Sequence, residues 1–149
     1  MKTKENERFH IGVYGILIQN KKILLIKKAR GPYKGTFDLP GGGIEFEEKV
    51  EDTLKRELEE EAGITIKNFE FLGHNEYVSK YLSGVKPRTM HHLGLYYLIE
   101  TSDTEIKEDP DGEDSLGSSF IDIADLSSIN IAPIAKPMIK KALQKLKIA

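Results

Sequence analysis

The chain of 149 residues contains no cysteine and no tryptophan. Without cysteine there is no disulfide framework, no thiolate metal site and no cysteine nucleophile. Apolar runs such as Ile23-Leu24-Leu25-Ile26 are far too short to cross a bilayer, so no membrane association is expected. The opening Met1-Lys2-Thr3-Lys4-Glu5-Asn6-Glu7-Arg8 is polar and lacks the charged-then-apolar order of a secretory leader. A cytoplasmic location is the default that these absences leave. Neither sign of charge is in excess: 22 Lys and Arg against 24 Asp and Glu give −2. Binding along duplex nucleic acid needs a basic footprint, and this balance argues against it.

What is present suits a single domain over residues 1–149, long enough to bury its own core. The apolar fraction, roughly 44% with glycine counted, is near the globular average. The near-neutral total hides segregation. From Glu45 to Glu61, nine acids face Lys49, Lys55 and Arg56, which leaves that segment at −6 and the rest at +4. A second acidic run, Asp103 to Asp114, holds seven acids and only Lys107. Such blocks are commonly solvated faces or loops.

Alternation and β-branched or aromatic residues predict strands at Phe9 to Ile18 and Ile23 to Ile26, joined by a turn at Asn20-Lys21-Lys22. Leu39-Pro40-Gly41-Gly42-Gly43 reads as a tight glycine-rich bend. Val50, Leu54, Leu58 and Ala62 recur at helical spacing, predicting a helix over Glu48 to Ala62 that Gly63 stops in a left-handed cap. Further strands are expected at Ile64 to Tyr81 (with a break), Met90 to Glu100, and Phe120 to Ile123. A last helix runs from about Pro137 to Leu146 on the apolar stripe Met138, Ile139, Ala142, Leu143 and Leu146. This order predicts an α/β (α+β) domain, a mixed sheet with helices packed on it.

On the first helix, with Glu57 at 0° and about 100° per residue, Glu60 falls near 300° and Glu61 near 40°. The three carboxylates share an arc that overlaps the edge of the apolar stripe. Lys55, Arg56, Asp52 and Glu59 take the solvent side. Acids that converge beside a core repel one another and lose hydration, and in the last turns each works against the helix dipole by about 0.3–1 kcal/mol. Two readings remain at this point: a solvated acidic helix end partly paired with Lys55 and Arg56, or hard oxygen ligands for Mg²⁺, Mn²⁺ or Ca²⁺. The glycines just upstream let backbone approach a ligand closely, which suits a cation bridged to phosphates.

Gly42, five residues, Glu48, seven residues, then Arg56-Glu57-Leu58-Glu59-Glu60-Glu61-Ala62-Gly63-Ile64 resembles the Nudix box of the MutT-like Nudix hydrolases without a departure. A chance match in this composition is on the order of one in a million. The resemblance covers 23 of 149 residues. It implies the Nudix α/β/α sandwich and a divalent-metal-dependent pyrophosphohydrolase, with Mg²⁺ or Mn²⁺ as cofactor. Upstream, Asp38 stands where many members carry an aromatic residue, a difference with no evident functional consequence.

The resemblance further implies that Glu57, Glu60, Glu61 and the carbonyl of Gly42 bind the metal. It assigns the catalytic set to Glu60, Glu61, Arg56 and Glu48, the last two orienting the helix. The alternative for Arg56 and Glu48 is an exposed ion pair worth under about 1 kcal/mol. The general base is a box glutamate, Glu60 or Glu61, or one of the loop acids Glu105, Glu108 and Glu113, with the box favoured. Lys28, Arg30 and Arg88 are candidates to hold the outer phosphates, each with a solvated alternative. Marks of the coenzyme A and NADH subclasses are missing, and Ser79-Lys80-Tyr81 stand where the ADP-ribose class often has Pro. Tyr81 resembles a mark of the dinucleoside polyphosphate class. The expected partner is a small nucleotide: a nucleoside triphosphate, its deoxy form, or a dinucleoside polyphosphate. The alternative is a catalytically silent nucleotide-binding or sensor module.

His91 and His92, adjacent in a strand, point to opposite faces and form no paired ligand site. His10 and His74 are read as isolated. Asp109-Pro110-Asp111-Gly112 has the wrong spacing for a Ca²⁺ loop. The lysines of the last helix have a sufficient explanation in its dipole.

Overall fold

A computed structural model describes residues 3–148; of the polar opening, Met1 and Lys2 lie outside the described residues, as does Ala149. The first extended segment divides into β1 (Glu7–Ile16) and β2 (Ile18–Gln19), and Leu17 between them is where the chain passes from one sheet to another. Asn20 and Lys21 turn it back with φ of 51° and 60°, the left-handed pair that matches a two-residue hairpin to strand twist. β3 (Lys22–Lys28) and β4 (Phe37–Asp38) follow.

Gly41 to Gly43 is not the bend expected above. It is a short strand, β5, paired antiparallel with β1 so that Gly42 opposes Val13 and Gly41 opposes Tyr14. Close approach decides the matter. A side chain at Gly41 would collide with the Val13 carbonyl and the Tyr14 ring, so glycine is what lets this segment lie against β1.

The acidic helix is α1 (Val50–Ala62). Gly63 caps it at φ 66° and donates its N–H to the Glu59 carbonyl, and Ile64 donates to Leu58, the closing pattern that satisfies orphan carbonyls. β6 (Asn68–Ser83) and β7 (Lys86–Glu100) form one long hairpin. The expected break in β6 is a register shift between Phe71 and Gly73, which bends the strand without ending it. β8 (Ser115–Asp122) and α2 (Lys136–Lys145) complete the chain.

Two four-stranded sheets result. One is mixed, ordered β5-β1-β7-β6, with β1 parallel to β7; in the other β3 pairs with β2, β4 and β8. Because side chains alternate across a sheet, β1 sends Val13 toward Leu54, Leu58 and Ala62 of α1, and Tyr14 and Ile16 toward Met138, Ile139 and Ala142 of α2. Helices therefore cover both faces, and the α/β/α sandwich stands. No helix among the described residues is long and apolar enough to cross a membrane.

Candidate active site

The site forms where β5 meets α1. Gly42 lies so close to α1 that a Cβ there would stand 2.7 Å from the Glu57 carboxyl carbon. Beside it, the Gly41 N–H donates to Glu61 Oε1 at 2.7 Å. Glu61 is 2% exposed. Burial pushes its carboxyl well above the ordinary range, the Gly41 N–H pulls it down, and the neighbouring Glu57 pushes it up again. Glu57 is raised as well, first by burial and against the pull of Arg56.

Arg56 is not on the solvent side, where the helical wheel places it. Its guanidinium is drawn inward and donates to Glu48 from Nε (2.8 Å) and Nη2 (2.9 Å), to Glu57 from Nη1 (2.9 Å), and to Glu60 from Nη1 (3.2 Å). Nη2 also reaches the Gly43 carbonyl at 3.2 Å. A planar fork with five N–H donors can serve several acceptors at once, and the opposite charges explain the displacement. Glu48, further fixed by the Thr53 hydroxyl at 2.6 Å, is held down to about 2, first by the Arg56 hydrogen bonds and then by that of Thr53. Arg56 thus ties the loop after β5 to α1.

Glu57 and Glu61 present hard oxygen donors beside a strand whose backbone approaches within contact, and burial raises both carboxyls even though Arg56 pairs with Glu57. This donor set fits a divalent cation such as Mg²⁺ or Mn²⁺. The third box carboxylate, Glu60, is exposed and turned to Arg56. No three His, Asp or Glu side chains among the described residues stand together as a ligand cluster.

Next to these acids opens a cleft of about 540 Å³ lined by Arg8, His10, Tyr14, Tyr33, Asp38 and His92, among others. Lys28, Arg30 and Tyr81 from the sequence reading also line it; Arg88 does not. Asp114 joins cleft to helix. It pairs with Lys28 and, at 3.8 Å, with Arg30, and its charge reaches Glu57 and Glu61. Among the acids of the loop before β8, the cleft takes Asp114, not Glu105, Glu108 or Glu113, which are exposed.

Three features of the cleft escape a sequence reading. His92 is 2% exposed, and the Tyr14 and Tyr33 hydroxyls hydrogen-bond its Nε2 at 2.7 Å and its Nδ1 at 3.0 Å. A neutral imidazole has one donor and one acceptor, so one tyrosine donates to the ring and the other accepts. Burial holds His92 down to about 3. His10 is not isolated: it pairs with His92 across the parallel β1–β7 ladder, ring centroids 4.9 Å apart, and is held down to about 4, first by burial and then by Arg8. Asp38 is buried in the cleft wall and pushed up to about 6 by burial, so it belongs to the site where the sequence suggested no consequence. The available signal was an acid directly before Leu39-Pro40, where the chain enters β5. The His10–His92 pairing had no signal, because 82 positions separate them.

A family model described as NUDIX domain matches residues 8–142. The chain belongs to the NUDIX domain family. It is 33% identical over 119 residues to the ADP-ribose pyrophosphatase of Methanocaldococcus jannaschii, a match spanning 80% of this chain and 65% of that protein's length. It is 26% identical over 137 residues to the 8-oxo-dGTP diphosphatase of Escherichia coli K12, spanning 91% of this chain and 96% of that one. Among solved structures, the MutT protein from Methanosarcina mazei Go1 superposes with a TM-score of 0.74 at 17% identity, covering 97% of this chain and 99% of the other. That likeness confirms the Nudix fold. The two relatives are named as a pyrophosphatase and a diphosphatase.

Proposed function

We propose that this Nudix protein is a divalent-metal-dependent pyrophosphohydrolase that cleaves a nucleoside diphosphate linked to another moiety by attack of water on phosphorus. The observation that carries the reading is the junction of β5 and α1, where Gly42 backbone and the Glu57 and Glu61 carboxylates meet beside the cleft. Glu57, Glu60, Glu61 and the Gly42 carbonyl would hold Mg²⁺ or Mn²⁺. Bound there, the cation offsets diphosphate charge, polarises a P–O bond and lowers the pKa of water.

The protein's own groups do the rest. Glu48 fixes Arg56, and Arg56 orients Glu57 and Glu60. A box carboxylate, Glu60 or Glu61, takes the proton of the attacking water. Lys28 and Arg30, which line the cleft and pair with Asp114, supply positive charge for the outer phosphates, and much of the rate comes from such positioning. Tyr81 closes part of the cleft wall. The substrates that suit this arrangement are nucleoside triphosphates and their deoxy forms, dinucleoside polyphosphates, and, from the archaeal relative, ADP-ribose. We place the enzyme in the cytoplasm, acting on small molecules.

Turnover on a panel of these substrates with Mg²⁺ or Mn²⁺ tests the proposal. Glu61→Gln is expected to lower turnover by orders of magnitude while the protein stays folded, because the amide takes away an anionic oxygen from the proposed metal site but keeps an acceptor for the Gly41 N–H. In ¹⁸O-labelled water the label should enter a phosphate product. A trapped covalent phospho-enzyme, or wild-type turnover in Glu61→Gln, would refute the mechanism. Nucleotide binding without turnover on the whole panel would favour a silent binding module.

A further inference from the structure

The mixed sheet ends at β6. β6 pairs with β7 on one side, and among the described residues no other backbone hydrogen bond reaches residues 76–83. Toward its start the strand is covered. The Asn75 side chain donates to the Ile134 carbonyl and Lys145 pairs with Glu70, so α2 and the segment before it lie against that half. From Glu76 onward Tyr77, Ser79 and Tyr81 pack on the cleft side, against Tyr33 and the core, while the backbone edge takes no further strand among the described residues. Tyr77 is 40% exposed, Val78 56% and Leu82 69%.

An edge strand presents unpaired N–H and C=O groups on which another strand can add, and charged side chains along it repel every strand that does not match them. The order of side chains here selects the recruit. Glu76, Val78 and Lys80 alternate onto one face of the sheet, the face that α1 covers only over its other half; within the chain Glu76 also meets the His91 ring at 3.1 Å across β7, at the rim where one carboxylate can serve both His91 and a facing lysine. A two-fold axis perpendicular to the sheet at Val78 sets Val78 against Val78 of a second copy. It also sets Glu76 of each copy opposite Lys80 of the other. Moving the axis to Ser79 would put Lys80 against Val78 and Glu76 against Leu82. Moving it to Tyr77 would put Lys80 against His74. Only the Val78 register matches the charges, and like charges directly opposite destabilise a sheet pair.

We propose that β6 is a homodimerisation edge: two copies pair antiparallel through residues 76–80, Glu76 of each facing Lys80 of the other, to make one continuous eight-stranded sheet. Such an interface is isologous, the same patch used twice, and closes as a dimer without further growth. It leaves Arg56, Glu57 and Glu61 at the opposite edge of the mixed sheet, beside β5, and so does not depend on the hydrolase assignment.

Sedimentation equilibrium of the full chain should show a monomer–dimer equilibrium. Glu76→Lys alone and Lys80→Glu alone each place like charges opposite one another in both cross-strand pairs, and each should raise the dissociation constant at least tenfold. At these two positions the first variant carries only lysines and the second only glutamates. Mixed together, they therefore set opposite charges across both cross-strand pairs and should form a heterodimer. Thermal melts of each variant alone establish that it folds. A wild-type protein that stays monomeric at its solubility limit overturns the proposal. So does a dimer that ignores both charge reversals, or a mixture that fails to associate.

Discussion

At Gly42 the interval between α1 and β5 is set by one hydrogen atom. A methyl group there would press on the end of the Glu57 side chain, at 2.7 Å from its carboxyl carbon, not on backbone. Flexible side-chain ends yield, so Gly42→Ala should leave the melting temperature nearly unchanged. It should nonetheless displace a proposed metal carboxylate, and supporting-group changes of that kind cost about 10–100-fold in metal affinity. Titrating Mn²⁺ activation of the variant against wild type checks this; equal activation constants would show that the contact has no functional weight. Arg56 makes the complementary point. A helical wheel treats its long side chain as a radius pointing outward, whereas acceptors at 2.8 to 3.2 Å, on Glu48, Glu57, Glu60 and Gly43, draw it in.

At the scale of elements, α1 is closed by a glycine cap. Lys49 at its start makes no side-chain cap, the last turn holds no basic residue, and Gly63 adopts φ 66°. A left-handed conformation costs an L-residue about 1–2 kcal/mol, and a Cβ at Gly63 would also stand 3.2 Å from Lys107 Cβ. Gly63→Ala should therefore lower the melting temperature by about 2–8 °C for a domain of this size, with little change in far-ultraviolet circular dichroism. An unchanged melt would mean that the cap does not limit stability. The periodicity of Val50, Leu54, Leu58 and Ala62 made this helix legible. β5 was not legible, because three glycines have no side chains to alternate and their pairing depends on β1, a strand distant in the sequence.

For the whole molecule, pH acts through the buried cleft. His92 is held down to about 3 and His10 to about 4, against an ordinary value of 6.5. Below pH 6.5 the unfolded chain takes up protons that the folded protein refuses, so stability falls progressively as pH drops toward 4 and then 3. Asp38, pushed up to about 6, acts in the opposite sense: its folded form binds a proton between about pH 6 and 3.8 and offsets part of the loss. His92→Asn should remove up to one proton from the balance. The slope of unfolding free energy between pH 6.5 and 4 should then be shallower by up to about 1.4 kcal/mol per pH unit. Urea unfolding at a series of pH values measures it, and an unaltered slope would show that His92 is not held neutral.

The amino-acid sequence by itself determined the family, the acidic helix and its cap, and the carboxylates placed on one side of it. Those features are local: a box of 23 residues, a four-residue repeat and a glycine at a helix end. A mixed sheet with helices packed on it followed from the order of the elements, and the α/β/α sandwich from the resemblance of the box. Tertiary structure alone decided the cleft. His10 and His92 become neighbours only through the parallel pairing of β1 with β7, and Tyr33 reaches His92 from a loop 59 positions away. Asp114, rather than Glu105, Glu108 or Glu113, enters the site because β8 pairs with β3 in a register that brings Ser115 to Lys28. Contacts between distant strands depend on register, and a shift of one residue exchanges the faces of a sheet. No single segment carries that information.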